Sequence, residues 1–276
     1  MSQQCQPRFA VTRIGLALLA VLALPATARE YVLEYGVGLP NQTGYLQTPA
    51  GGMPGTASSK RPTLAEIGLD GGRYRWLGAG VDFGHEAGTD RAAMPFHLRF
   101  YARYTTIGDD ATTTLAEAFT IRGGVFEVGD SVRSRVSFDG LTLALTAAFE
   151  LAPRLTAEIG PEIGWTAFDF TMTGERHRSE RSYHVTTFGL VGALNKELGN
   201  GWHIGARLAA SPAIEGTGSR YTAETRVGRD LSENLGVSVG ASLEEFRYDD
   251  GHKQDLPNRL KVTRRVIPTL AARIRF

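Results

Sequence analysis

Cysteine and lysine are the first residues this sequence lacks. The one cysteine, Cys5, lies in an N-terminal segment expected to be removed on export. The exported chain then has no disulfide, no thiolate metal site and no thiol nucleophile, although export leads to an oxidising place. Lysine occurs only at Lys60, Lys196, Lys253 and Lys261, too few to build a solvated face. A basic excess is missing as well. There are 30 basic and 29 acidic residues, so no charge stripe supports a nucleic-acid partner. No apolar run after residue 28 approaches the ~20 residues of a membrane helix. There is no G-x-S-x-G, no H-E-x-x-H and no glycine-rich phosphate loop. The six histidines (85, 97, 177, 184, 203, 252) are scattered singly. No catalytic residue, metal or cofactor is therefore expected.

Residues 1–13 carry Arg8 and Arg13 and no acid, and "IGLALLAVLAL" at 14–24 is wholly apolar. "PATA" follows, with Ala26 and Ala28. A basic start, a short apolar core and an A-x-A site predict a secretory signal peptide over 1–28, cleaved after Ala28. The exported domain, 29–276, loses two bases with the leader and carries a formal charge of −1.

The rest of the chain is dominated by alternation. At 155–167, Leu155, Ala157, Ile159, Pro161, Ile163, Trp165 and Ala167 share one parity, and Thr156, Glu158, Gly160, Glu162, Gly164 and Thr166 share the other. Residues 141–151, 202–208 and 235–243 repeat the pattern. Period two sustained this long means strands, because strand side chains alternate faces. Short polar turns at 70–72, 107–110, 152–154, 199–201 and 232–234 alternate with longer connections at 49–59, 86–94, 173–182, 214–219 and 250–258. Tight turns at one end and long loops at the other predict an all-β, transmembrane antiparallel barrel. Counting back from Phe276 gives strands near 259–276, 235–249, 220–231, 202–213, 183–198, 155–172, 132–151, 112–128, 95–106, 73–86, 60–70 and 29–48. That is twelve, with ten or fourteen as the open alternatives.

A soluble sandwich or lipocalin-like barrel would turn the apolar face inward. Three features favour lipid. The second face mixes glycine, serine, threonine and isolated charges. Several strands exceed the usual five or six residues. Tyr31, Tyr35, Trp165, Trp202, Tyr221 and Phe276 fall on outward positions near strand ends, as interfacial girdles do. Pro161, Pro212 and Pro268 each remove a ladder hydrogen bond, and a bulge is expected at each.

The final residues carry a resemblance. The leader, the turn pattern and the terminal "LAARIRF" resemble Gram-negative outer-membrane β-barrel proteins. The resemblance implies residence in the cell outer membrane. It also implies that Leu270, Ala272, Ile274 and Phe276 form the signal read by the barrel-assembly machinery, with Ile274 where an aromatic is usual. Outer-membrane lipids are the surrounding partners.

Function must then come from the inward face. Strand parity places the acids Glu34, Glu66, Asp82, Glu150, Glu158, Glu162, Glu224 and Glu244 inside. It places the bases His97, Arg99, Arg103, His203, Arg207, Arg226, Lys261, Arg265, Arg273 and Arg275 with them. An arginine-rich lumen of mixed charge suggests a porin-like small-solute channel, since arginine forks hold carboxylates and phosphates. An anionic small solute is the matching ligand. The same residues paired with one another would instead brace a non-conducting barrel of structural or adhesive role. Ser182 and His184 share a lipid-facing parity that a membrane-facing hydrolase could use, but no third residue can be assigned. The cations Arg176, His177, Arg178 and Arg181 at 173–182 could meet lipopolysaccharide phosphates.

Overall fold

The computed structural model describes residues 30–48, 61–84, 96–121, 124–212, 218–251 and 257–276. The expected leader and the connections expected at 49–59 and 86–94 lie outside these residues. The strands are β1 (Glu30–Gly38), β2 (Asn41–Gln47), β3 (Arg73–Asp82), β4 (Phe96–Thr114), β5 (Phe119–Ile121), β6 (Gly124–Phe126) and β7 (Ser131–Ala152). They continue as β8 (Leu155–Thr173), β9 (Arg178–Gly199), β10 (Trp202–Pro212), β11 (Gly218–Asp230), β12 (Leu235–Asp249) and β13 (Arg259–Arg275).

Ten strands close a ring in the order β1-β3-β4-β7-β8-β9-β10-β11-β12-β13, and β13 pairs back to β1. Neighbours are antiparallel, as in Val32 opposite Arg275 across the closing seam. The backbone of Phe276 adds a reciprocal pair with Tyr31. β2 stands outside the ring: β1 covers β13 over 269–275, and β2 continues over 259–265. Closure leaves no free edge in the ring, which is the condition for a sheet in lipid.

The barrel therefore has ten strands and not twelve. Two expected strands are absent. Of the strand expected at 60–70, the described residues 61–70 hold instead a short 3-10 helix, Ala65–Ile67, opened by a reciprocal pair: Thr63 N–H donates to Glu66 (2.7 Å) and Glu66 N–H to Thr63 Oγ1 (3.2 Å). T-x-x-E is a capping box, so Glu66 serves a helix start and does not line the lumen. The expected strand 112–128 is the tail of β4 plus the separate β5–β6 hairpin. "IGDD" at 107–110 does not turn; Gly108 pairs with Arg73 on one side and Ser137 on the other. The turns at 153–154, 200–201 and 231–234 stand as expected, at the end that also holds Glu30 and Phe276. Asp82 and Phe96, the strand ends that flank the connection expected at 86–94, both lie at this end, opposite Glu30 and Phe149. Most of 173–182 is strand, with a turn only at 174–177.

One inward parity runs the length of each ring strand except β13, but its chemistry changes partway. On β7 the outward residues are Arg133, Arg135, Ser137 and Asp139, then Leu141, Leu143, Leu145, Ala147 and Phe149. The inward residues are Val132, Ser134, Val136 and Phe138, then Thr142, Ala144 and Thr146. β8 and β9 switch at the same height, where Leu141 pairs with Trp165 and Trp165 with Thr186. Below that line the exterior is an apolar belt: Leu190 is 60%, Leu208 65% and Phe276 66% exposed. Leu141–Leu151 and Phe188–Leu198 each span the ~9–11 residues that cross a bilayer. Above it the barrel resembles a soluble one, polar outside and apolar within.

The upper interior is packed. Phe138 meets Phe168 (4.8 Å between ring centroids) and Phe246 (5.8 Å), Phe168 stacks on Tyr183 (5.6 Å), and Tyr183 on Tyr248 (4.5 Å). Leu64, Ile67 and Leu69 of the capped segment and Phe119, Ile121 and Phe126 of the hairpin bury themselves in the same core. Lower down, inner-face glycines make room for rings. A Cβ on Gly36 would lie 2.0 Å from the Trp76 ring, and one on Gly78 would lie 2.3 Å from the Tyr101 hydroxyl.

β13 breaks parity once. Its pairing with β12 shifts by one residue between Ser242 and Glu244, and Val266 takes φ 47°. This bulge puts Leu260, Val262 and Arg264 inside on one flank, and Ile267 and Ala271 inside on the other. Lys261 and Arg265, expected in the lumen, consequently point outward, and Arg264 takes their place. Pro268 lies beside this bulge. Pro161 has none: the β7–β8 register is the same on both sides of it, and only the pairs at Leu145 and Thr146 are missing. Pro212 ends β10, where no repair is needed.

The belt can be tested by charge. Leu190→Arg, facing lipid, should cost about 2–4 kcal/mol. His184→Arg, outward but above the belt, should stay within about 0.5 kcal/mol. Denaturant unfolding in lipid vesicles reads both; equal costs would place the boundary elsewhere.

Candidate functional site: a charged lumen beneath an apolar seal

Below the packed core, the barrel encloses a cavity of about 620 Å³. Turn residues Arg154, Asn200 and Gly201 line its mouth, so it opens at the tight-turn end. In barrels of this type the short turns face the periplasm.

The inward charges are arranged in tiers. At the mouth, Asp230 accepts from Arg273 (2.8 Å) and lies 3.4 Å from Arg275, which reaches Glu30 at 3.2 Å. Across the lumen, Arg99 bridges Asp82 (2.7 Å) and Glu158 (2.6 Å). His97 lies 3.2 Å from Asp82, and Asn195 and Thr146 donate to Glu158. Arg226 donates to Glu34 at 3.3 Å. Deeper, Arg103 donates to Glu224, and Arg207 to Glu162, which also accepts from Ser211. At the base of the seal, Arg220 and Arg264 both approach Glu244 at 3.3 Å. The Arg103 guanidinium lies over Trp76 (4.8 Å), and that of Arg264 over Phe138 (4.3 Å).

Of the residues expected inside, His97, Arg99, Arg103, Glu158, Glu162, His203, Arg207, Glu224, Arg226, Glu244 and Arg273 sit on the inner face with Glu34, Asp82 and Arg275. Glu150 shares their parity but is exposed at the rim. Arg220, Asp230 and Asn195 were legible by the same parity on β11 and β9, and sequence reasoning left them out. Arg264 was hidden by the bulge. Leu270, Ala272, Ile274 and Phe276 all face outward, on the strand that closes the ring.

Ser182 and His184 also face outward, above the belt. Ser182 donates to Asp169 on β8, its direct cross-strand neighbour. Among the described residues no hydrogen bond joins Ser182 to His184. The upper exterior carries other ion pairs. Asp110 accepts from Arg133 (2.9 and 3.0 Å) and Arg135 (2.8 and 2.5 Å). Arg176 pairs with Glu127 and Arg178 with Glu180. Hydrogen bonds from Arg133 and then Arg135 hold the Asp110 carboxyl down at about 2. Burial, and then the nearby Asp250, push the Tyr248 hydroxyl up to about 12.

No family model matches this sequence, and no curated protein does. Solved structures show a likeness of architecture. The outer membrane protease OmpT from Escherichia coli is 11% identical with a TM-score of 0.42, covering 93% of this chain and all of its own. The translocator domain of the autotransporter NalP from Neisseria meningitidis is 13% identical (TM-score 0.40), covering 96% of each chain. Ail, the attachment invasion locus protein of Yersinia pestis, is 10% identical (TM-score 0.37), covering 90% of this chain and all of its own.

Two outcomes follow from the pairing. Glu224→Gln strands Arg103 in a buried place and should cost about 3–5 kcal/mol, while the double change to methionine at both positions should recover most of it. Equal losses in single and double variants would refute the pairing. For Asp110, the folded pKa lies below the unfolded one. The carboxylate therefore stabilises the fold above about pH 4, and that contribution is lost as pH falls towards 2. Asp110→Asn should flatten the stability profile in this window, and salt should shrink the difference because the cluster is exposed. Parallel acid titrations of both proteins would show it.

Proposed function

We propose that this chain is a non-conducting outer-membrane barrel that presents its sealed outer half at the cell surface in a structural or adhesive role. The observation that carries the reading is the filled upper lumen. The chain of aromatic rings from Phe138 to Tyr248, and the buried residues of the capped segment and the hairpin, occupy the path a solute would take. The inward arginines support it as well. Arg99, Arg103, Arg207 and Arg226 each face a carboxylate, so these four do not form a free cationic track.

The porin-like reading keeps one supporting feature, the cavity of about 620 Å³ open at the tight-turn end. That cavity gives an anionic solute a place to enter, and its lining reaches the tier of Arg103, Arg207 and Glu224 but includes none of the aromatic residues of the upper core. An enzymatic role has less support, since Ser182 engages Asp169 and not His184. The partners proposed are the lipids of the outer membrane. Lipopolysaccharide phosphates would meet the outward Arg73, Arg75, Lys261 and Arg265 just above the belt. The assembly machinery would read the outward face of β13.

Planar-bilayer recording of the refolded protein tests the reading. A folded protein should give a silent membrane, and discrete anion-selective steps would overturn the proposal. Arg207→Glu sharpens the test. In a sealed barrel it sets two carboxylates together at Glu162, so unfolding should come earlier with no current; in a pore it would move the reversal potential.

A further inference from the structure

At the tight-turn end the outward face of most strands is apolar. Tyr31, Phe96, Phe149, Leu155, Leu235 and Ile274 hold these positions. On β9 and β11 two bases take them instead. Lys196 lies opposite Leu155 on one side and Ile204 on the other. Arg229 lies opposite Trp202 and Val237. Both bases are exposed. Lys196 and Trp202 also border the cavity mouth, but their register sets both side chains on the outer face. Lys196 stands two residues inside the lower end of the lipid-facing stretch Phe188–Leu198, where a long side chain carries its charge to the interface. The Arg229 guanidinium leans over the Trp202 ring at 5.5 Å, towards β9. Carboxylates nearby are engaged or turned away. Asp230 holds Arg273 and Arg275, and Glu197 has the inward parity, opposite His203. Among the described residues neither Lys196 nor Arg229 makes an ion pair with these, with Glu233 of the next turn, or with any other acid.

Two free cations at the lower margin of an apolar belt call for a negative group held at that height, and the membrane supplies one in its phosphodiesters. We propose that the β9–β11 sector binds the head group of an anionic phospholipid of the periplasmic leaflet, such as phosphatidylglycerol, with Lys196 and Arg229 on its phosphate. The two bases stand two strands apart, about 10 Å across the sheet, so side chains of their length converge on one head group. Trp202 lies between them, at the interface where an amphipathic ring is favoured. Leu194, Ile204 and Leu208 continue the same face into the belt, as a wall for the acyl chains. A zwitterionic lipid carries its own ammonium beside the phosphate and gains less from the two bases. The inference names one lipid among the outer-membrane lipids proposed above as partners, and it does not depend on whether the lumen conducts.

Trp202 is its own reporter. The chain has three tryptophans; Trp76 is buried in the interior, and Trp165→Phe removes the other outward one. The full-length Trp165→Phe protein is refolded into vesicles of phosphatidylcholine and phosphatidylglycerol in equal amounts, with bromine on the acyl chains of one lipid or the other. Brominated phosphatidylglycerol should quench Trp202 more strongly, with a preference of about fivefold for each base. High salt should reduce that preference. The further changes Lys196→Gln and Arg229→Gln, made together, should abolish it; if that protein does not fold, each single change should remove about a fivefold share. Trp202→Phe leaves Trp165 to report from the upper margin of the belt, where quenching by the two lipids should be equal. Equal quenching of Trp202 by both lipids would overturn the site and leave the sealed barrel untouched. A preference that survives the loss of both bases, or one that Trp165 shows as strongly, would refute the assignment to this sector.

Discussion

Closure of β13 onto β1 is the constraint on which the rest depends. Once the ring is shut, every ring strand but the bulged β13 has one inward and one outward parity for its whole length, and the backbone needs no partner beyond the ring. Side chains must then satisfy two different surroundings with the same two faces. In the bilayer the outside must be apolar, and Leu145, Leu190 and Leu208 meet that need. Above the bilayer the outside meets water, and the only shelter from it is inside. Phe138, Phe168 and Phe246 go there, at a burial gain of about 1.5–3 kcal/mol each. The exchange of chemistry between faces, without any change of parity, follows from a barrel taller than its membrane.

The exchange creates a boundary within the lumen. Below it lie Arg99, Glu158 and Arg226 around a wet cavity; above it lies a dry core. A polar network next to an apolar one is stable only when its groups are satisfied. The tiers of ion pairs go far to meet this: Glu158 receives Arg99, Asn195 and Thr146 from three strands, and Glu162 receives Arg207 and Ser211 from β10. The arginine contacts join non-adjacent strands, β4 to β8 and β10 to β8, so they also brace the ring. Arg103 links β4 to β11 in this way, and Arg226 links β11 to β1.

Much of this architecture is legible in the residues, but unevenly. Alternation from Leu141 to Leu151 and from Leu235 to Leu243 marks the strands, the outward face and the lipid contact, because there hydrophobicity and parity agree. The same alternation is enough to place Arg99, Arg207 and Glu224 inside. The upper halves mislead for a physical reason. On "SVRSRVSFD" the same parity holds apolar residues inside, so a reading that equates apolar with outward loses its footing there. "IGDD" carries turn residues but runs straight, since tertiary pairing on both sides overrides local preference. The capped segment could have been found: Thr63 and Glu66 spell a helix start, which competes with a strand. The bulge expected at Pro268 lies two residues earlier, at Val266, a position the residues do not mark because a β-branched residue is the last place to expect positive φ.

That bulge shows how one residue resets the chemistry of the lumen. Without it, Lys261 and Arg265 would face the aromatic core, where neither finds a carboxylate, and Leu260 and Val262 would face water. With it, Leu260 and Val262 join the core, and the cations meet solvent or Glu245. A single charge, Arg264, is carried inward at the height where Glu244 and the Phe138 ring can receive it. The strain of one left-handed residue, of order 1–3 kcal/mol, is small beside the cost of burying two unpaired cations, several kcal/mol each. The lipid-facing flank from Leu270 to Phe276 keeps its own parity, because the shift lies above it. The same strand thus serves the core above Val266 and the membrane below it.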